Sequence, residues 1–86
     1  MRTWYWTRTC VFCDGQGRLL VTWKPSRDGL FLLCEECEAA WPDTESAADL
    51  KLALPPLEDG FRAHPATWED ISRHGWEPHV AGSFQM

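Results

Sequence analysis

The sequence predicts a small α+β domain in which antiparallel β hairpins come first and one or two short C-terminal helices follow. Three observations predict this class. The first 34 residues contain β-branched and aromatic runs, turn-forming residues separate these runs, and helix-start and helix-stop residues flank a short stretch after position 66. A chain of 86 residues fits one domain, 1–86. Such a domain buries only about 60–65% of its unfolded surface, so its core needs reinforcement.

Three segments near the N-terminus have the composition of β-strands. They are TWYWTR at 3–8, RLLVTWK at 18–24 and LFLLC at 30–34. In the first segment, the alternation of a strand places Trp4 and Trp6 on one face. The turn sequence PSRDG joins the second segment to the third, which indicates a hairpin. Residues 1–41 are therefore predicted to form a β-rich part of the domain.

The middle segment, residues 42–65, is predicted to hold an acidic helix followed by a linker. In DTESAADLKLAL, the apolar residues Ala47, Leu50 and Leu54 recur at helical spacing. The two prolines that follow end this helix, because proline has no amide hydrogen and restricts the residue before it. An irregular linker then completes the segment.

The last segment, residues 66–86, contains a clearer helix signal. ATWEDISRHGW has a threonine at the N-cap, acidic residues in the first turn and basic residues in the last. Gly75 falls where a helix ends in a left-handed backbone conformation, so we predict a helix over 68–73 with Trp76 packed back on Ile71. The final HVAGSFQM forms either a last strand or a tail.

Four cysteines occur as two pairs with the spacing C-x2-C-x20-C-x2-C, which is typical of a zinc site. They are Cys10, Cys13, Cys34 and Cys37. Each pair aims two sulfurs at one cation, and a hairpin between the pairs completes a tetrahedron with Zn–S bonds of about 2.3 Å. We therefore predict one Zn²⁺ bound by all four cysteines, with iron as an occasional substitute in vitro. The alternatives are disulfides, which need an oxidising compartment, and a redox-active pair, which is typical of a βαβ context.

The predicted zinc is structural, because four protein thiolates leave no open coordination position for a substrate. The sequence contains no nucleophile elbow, no phosphate-binding glycine loop and no H-E-x-x-H motif. Its three histidines fall in loops or at a helix end, where they need no catalytic explanation. We therefore predict no catalytic residue and expect that the protein is not an enzyme.

This cysteine arrangement resembles the zinc ribbon, in which two cysteine knuckles at strand junctions hold one ion. The resemblance covers Cys10 to Cys37 and implies one structural Zn²⁺. The sequence departs from the commonest knuckle, Cys-Pro-x-Cys-Gly, on both sides of the site. Val11 replaces the proline, while Asp14 and Glu38 each follow the second cysteine of a knuckle, where glycine is frequent.

The net charge of −5 is unevenly distributed. Residues 1–33 carry five basic and two acidic side chains (+3), whereas residues 34–59 carry eight acidic side chains and one lysine (−7). Such a surface attracts a basic partner and repels nucleic acid on average. The N-terminus lacks the apolar core of a signal peptide, and no run is long enough to span a membrane. We therefore expect a cytoplasmic protein that does not contact a membrane.

Six tryptophans are unusual in a chain of this length. The three that we expect in the core are Trp23, Trp68 and Trp76. The three that we expect to be partly exposed are Trp4, Trp6 and Trp41. Exposed tryptophan is typical of a protein interface or of a platform that stacks nucleic-acid bases. The predicted partner-binding residues are Trp4, Trp6, Glu35, Glu36 and Trp41.

Two functions fit these observations. The first is a zinc-stabilised protein-binding module. The acidic stretch after the last cysteine and the late ATWEDISRHGWEPHV segment diffusely resemble small acidic bacterial proteins of the toxin-immunity type. This resemblance implies binding and neutralisation of a basic toxin domain.

The alternative is a nucleic-acid-binding zinc ribbon associated with transcription or translation, because aromatic side chains lie among the basic residues of the N-terminal half. Those basic residues are Arg2, Arg8, Arg18, Lys24 and Arg27. We favour protein binding, because the positive field of this half is weak beside the acidic middle segment.

Overall fold

A five-stranded antiparallel sheet organises the protein, which a computed structural model describes over residues 1–58 and 60–86. The strands are β1 (Thr3–Thr9), β2 (Arg18–Trp23), β3 (Leu30–Cys34), β4 (Ala40–Trp41) and β5 (Gly82–Gln85). They lie in the order β4-β3-β2-β1-β5, and every neighbouring pair is antiparallel. The predicted α+β class and its three N-terminal strands are therefore confirmed. The C-terminal residues form a strand rather than a tail.

The β2–β3 hairpin sets the register that the site depends on. The backbone N–H of Lys24 donates to the carbonyl of Gly29 at 2.8 Å, which closes the turn that PSRDG predicted. From this turn, Trp23 lies opposite Leu30 and Leu19 lies opposite Cys34. The hairpin thus returns the chain to the end of the sheet from which it started, where both cysteine pairs lie.

The α-helix α1 spans Trp68–Arg73, as the sequence predicted. The Thr67 hydroxyl accepts from the Asp70 N–H at 3.1 Å, and the Asp70 carboxylate accepts from the Thr67 N–H at 3.0 Å, so the helix begins with a capping box. At the other end Gly75 has φ +73°, and the Trp76 N–H donates to the Ile71 carbonyl at 3.0 Å. This is the predicted Schellman ending.

The capping box makes Thr67→Ala a sharp test of α1. We expect this variant to lower the free energy of unfolding by about 1 kcal/mol, because the Asp70 N–H loses its hydrogen-bond acceptor. Urea unfolding of the metal-loaded protein measures the difference. The exposed Ser72→Ala serves as the control and should change stability by less than about 0.5 kcal/mol. Equal losses in the two variants would contradict this role of Thr67.

The predicted helix over the middle segment is wrong. Two short 3-10 helices, Ser46–Ala48 and Leu50–Leu52, replace it, and Asp49 between them has extended backbone angles (φ −116°, ψ 113°). The Asp49 carbonyl accepts from the Trp41 indole N–H at 3.0 Å, and its carboxylate accepts from the Lys51 N–H at 2.9 Å. These two hydrogen bonds hold Asp49 in an extended conformation between the two 3-10 helices. They therefore prevent the continuous helix that the spacing of the apolar residues predicted. In the described part of the chain, no helix has the length and apolar character of a membrane span.

Both faces of the sheet are covered by other parts of the chain. On one face, the 3-10 helices and α1 enclose the larger cluster of buried residues, which includes Val21, Leu32 and Ile71. On the other face, Phe31 and Leu33 contact the irregular segment that follows the prolines. Residues 19–22 of β2 and all residues of β3 and β4 are therefore buried, whichever face their side chains point to, whereas β1 and β5 keep exposed residues.

This double coverage corrects the expected distribution of tryptophans. Trp4 is 6% exposed and Trp41 is fully buried, whereas Trp68 on the short helix α1 is 46% exposed. Trp6 is half-buried, as expected for a partly exposed residue. The prediction was wrong for the other three. Trp41 belongs to the cluster that the 3-10 helices and α1 enclose, and Trp68 lies on the exposed side of α1.

Candidate metal centre

The two cysteine pairs converge at one end of the β2–β3 hairpin. Cys10 and Cys13 lie in the turn between β1 and β2, while Cys34 ends β3 and Cys37 lies in the turn after it. The four Sγ atoms all lie within 4.8 Å of one another. The structure therefore brings together the four predicted ligands.

The spacing of the sulfurs fits a tetrahedral metal site. A tetrahedron with Zn–S bonds of about 2.3 Å has edges of about 3.8 Å. The Sγ atoms of Cys10 and Cys37 are 3.7 Å apart, and so are those of Cys13 and Cys34. All four cysteines are free thiols, since these separations far exceed the roughly 2.05 Å of a disulfide bond. The donor set and geometry can hold a metal ion, in agreement with the resemblance to a zinc ribbon.

Each knuckle is closed by a backbone hydrogen bond between residues five apart, although the two bonds run in opposite directions. In the first, the Gly15 N–H donates to the Cys10 carbonyl at 2.8 Å; in the second, the Cys34 N–H donates to the Ala39 carbonyl at 2.8 Å. Directly after the second cysteine of each knuckle the chain enters the left-handed region, at Asp14 (φ 58°) and Glu38 (φ 62°). These two residues occupy the positions where a ribbon knuckle frequently has glycine. The departures from that pattern thus change the residue but keep the turn.

Glu38→Gly is expected to stabilise the protein. A left-handed backbone costs a non-glycine residue about 1–2 kcal/mol, and glycine removes this cost. Part of the gain in stability is lost again, because glycine has more conformational freedom in the unfolded chain. The expected net gain is about 0.5–1 kcal/mol, which should raise the melting temperature by several degrees. Thermal unfolding of the metal-loaded protein measures the gain. The neighbouring exposed Glu36→Gly, at a residue outside the left-handed region, should lower the melting temperature, and the reverse order of the two variants would refute the argument.

The close spacing of the four cysteine sulfurs favours the binding of a cation. Burial raises the pKa of the Cys10, Cys34 and Cys37 thiols above the ordinary value. Burial also pushes the pKa of Cys13 upward, but hydrogen bonds from the Gly17 backbone and the neighbouring cysteines outweigh it, and that pKa falls. Four thiolates so close together repel one another, and a bound divalent cation removes the repulsion.

Backbone hydrogen bonds favour the thiolate form of one ligand. The Glu36 and Cys37 N–H groups donate to the Cys34 Sγ at 3.4 and 3.5 Å. Cys10 and Cys34 are each 1% exposed, so the protein shields half of the donor set from solvent. If all four sulfurs bind one ion, they fill a tetrahedral coordination sphere, and such an ion stabilises the fold rather than activating a substrate.

An ion pair that the sequence analysis missed joins the second knuckle to β2. The Arg18 guanidinium contacts both carboxylate oxygens of Glu35: Nε donates to Oε2, and Nη2 donates to Oε1 at 3.0 Å. The Arg18 backbone N–H also donates to Glu35 Oε2 at 3.0 Å. The hydrogen bonds from Arg18 hold the pKa of Glu35 below its ordinary value. On its other side, the Arg18 guanidinium lies 3.9 Å from the centre of the Phe84 ring.

The register of the β2–β3 hairpin could have predicted the Arg18–Glu35 ion pair. Once the turn is closed between Lys24 and Gly29, the register places Arg18 directly opposite Glu35, one position beyond the Leu19–Cys34 pair. Opposite charges at facing positions of an antiparallel pair attract each other.

The predicted partner-binding residues do not form one surface. Trp41 is fully buried and Trp4 nearly so, which leaves neither with much surface to offer a partner. Glu35 is occupied by Arg18, Trp6 is half-buried, and Glu36 is exposed beside the metal site. Comparisons with protein-family models, with curated proteins and with solved structures find no match for this chain.

Proposed function

We propose that the protein is a zinc-stabilised protein-binding module without enzymatic activity. The single observation that carries the metal assignment is the tetrahedral spacing of four free thiols. Zinc fits best among common metals, because it favours four-coordinate sulfur sites. In this role Cys10, Cys13, Cys34 and Cys37 hold the ion, and the ion fixes the end of the sheet. Reduced cysteines of this kind belong to a reducing compartment such as the cytoplasm.

Charge supports a basic protein as the partner. Residues 34–59 carry a charge of −7, and a tetrathiolate zinc centre adds a further negative charge of about 2. Such a field steers a basic partner to the metal-bearing end of the molecule. An immunity-type role, in which the chain binds and neutralises a basic toxin domain, is the finer form of this proposal.

The structure weakens the nucleic-acid alternative in two ways. Arg18 is committed to Glu35, which removes one of the five basic residues of the N-terminal half from phosphate contacts. Trp4 is buried and offers little face for base stacking.

Affinity capture tests the proposal. A tagged, zinc-loaded chain should retain a basic protein from its own cells, and added salt should release that protein. Glu36→Lys should weaken the capture, whereas the exposed Glu69→Lys on α1 should leave it nearly unchanged. Tight binding of mixed DNA or RNA at low salt, with a steep fall in affinity as salt rises, would instead establish the nucleic-acid alternative.

A further inference from the structure

Exposed apolar side chains surround the segment Leu54-Pro55-Pro56-Leu57, which we call the proline ridge. Three hollows with volumes of about 480, 340 and 380 Å³ adjoin it, and Leu54 and Leu57 line all three. Leu57 packs on the buried Phe31 and Leu33, so the ridge is anchored to the sheet on one side. Its other side meets solvent: Leu54 and both prolines are exposed.

Phe12 extends this apolar surface to the metal centre. Its side chain is 63% exposed at the tip of the first knuckle, and it lines the 340 Å³ hollow together with Leu54 and Leu57. The phenylalanine side chain cannot coordinate a metal, and exposing its apolar surface to water is unfavourable. Leu50 and Leu52, which precede the ridge in the chain, are each more than half exposed. A cluster of this kind on a small domain indicates a binding surface.

Acidic side chains border the same surface. Glu38 lines the hollow that contains Phe12, Glu58 lines the 480 Å³ hollow, and both are exposed. Among the described residues, the basic side chain that lines these three hollows is Lys24, in the 380 Å³ hollow. Arg27 and Arg62 line a smaller hollow of about 210 Å³ that adjoins the 480 Å³ one. The surface therefore combines an apolar floor with a rim that is negative at Glu38 and Glu58 and basic beyond Lys24.

We propose that the proline ridge and Phe12 form the docking site for a partner segment that carries both aliphatic or aromatic side chains and lysine or arginine. The proposal rests on the protein-binding function argued above and names the surface that performs it. The apolar side chains of the partner enter the hollows, and its cations face Glu38 and Glu58. A second copy of this chain fits poorly, because its corresponding surface is apolar but equally acidic, and like charges oppose each other.

Selection from a phage-displayed library of random peptides of about 12 residues tests the surface without knowledge of the natural partner. The zinc-loaded protein should enrich peptides that combine Lys or Arg with Leu, Ile, Phe or Trp. The best synthetic peptide should bind the Phe12→Ser variant about tenfold more weakly or worse. Trp68→Ser, which removes an exposed aromatic side chain on the opposite face, is the matched control and should retain the affinity.

Three outcomes would overturn the docking site: no enrichment, enriched peptides without basic residues, or equal affinity for the Phe12→Ser variant and the unaltered protein. Far-UV circular dichroism and zinc content verify that both variants are folded. The affinity-capture experiment shows whether only the docking site is wrong or whether the proposed protein-binding function is wrong as well. If the Phe12→Ser chain still captures the basic protein from cells, protein binding stands and only its assignment to this surface falls.

Discussion

Chelation of the metal is expected to convert the folded protein into a largely unfolded chain. Structural zinc contributes apparent binding free energies of about 10–16 kcal/mol, whereas a domain of this size is stable by only about 5–10 kcal/mol. A bound ion would also tie together the two strands of the β2–β3 hairpin at the end away from its turn, since two of the candidate ligands precede β2 and two lie at or beyond the end of β3. Far-UV circular dichroism during titration with a strong chelator should show the loss of the β signal.

Restoring zinc provides the control for this experiment. The spectrum should recover when Zn²⁺ is added back under reducing conditions, and Mg²⁺ should fail to restore it because it favours oxygen ligands. Tryptophan fluorescence offers an independent signal, since the buried Trp4 and Trp41 become exposed when the core opens. A chelated sample that keeps native spectra would show that the sheet is stable without its metal.

Gly17→Ala is expected to have the second largest effect. A Cβ atom built on Gly17 would lie 2.5 Å from the Cys34 Sγ and 3.0 Å from the Cβ of Glu36. The first distance is impossible for real atoms, so the second knuckle has to move and displace one ligand from the tetrahedron. We expect zinc affinity to fall by about 10–100-fold, with a matching loss of thermal stability. Competition with a chromogenic chelator measures the affinity.

Gly29→Ala is the matched control. It lies at the other end of the same hairpin, and an added Cβ would meet only the Lys24 side chain at ordinary contact distances from 3.6 Å. Neither glycine is among the residues with positive φ, so the two substitutions differ mainly in what the new methyl group contacts. Zinc affinity should therefore be unchanged in Gly29→Ala. Comparable affinities in the two variants would mean that the knuckle tolerates the methyl group and that the site is looser than its geometry indicates.

Local signals were sufficient to predict the convergence of the four cysteines, the hairpin and α1. The cysteine spacing defines a ligand set whatever the fold around it, and the turn residues between β2 and β3 fix a register. For α1, Thr67 and Gly75 mark both ends through bonds within a few residues. In each case the determining contacts are short in sequence, which is why the sequence reveals them.

The wrong predictions concern contacts that are distant in sequence. Nothing near Asp49 reveals that the Trp41 indole will bond to its carbonyl and interrupt the helical spacing. The burial of Trp41 depends on the residues of the 3-10 helices that pack in the same cluster, which the alternation within one strand cannot show. The proline ridge was predicted as linker, and its exposed apolar side chains became meaningful only when the fold placed Phe12 beside them.

X-ray absorption at the zinc edge, on protein purified without added metal, shows whether the four cysteines hold one zinc ion. We expect one zinc per chain with four sulfur neighbours at about 2.3 Å and no nitrogen or oxygen in the first coordination shell. A shell with fewer than four sulfurs, or protein that contains neither zinc nor iron, would contradict it.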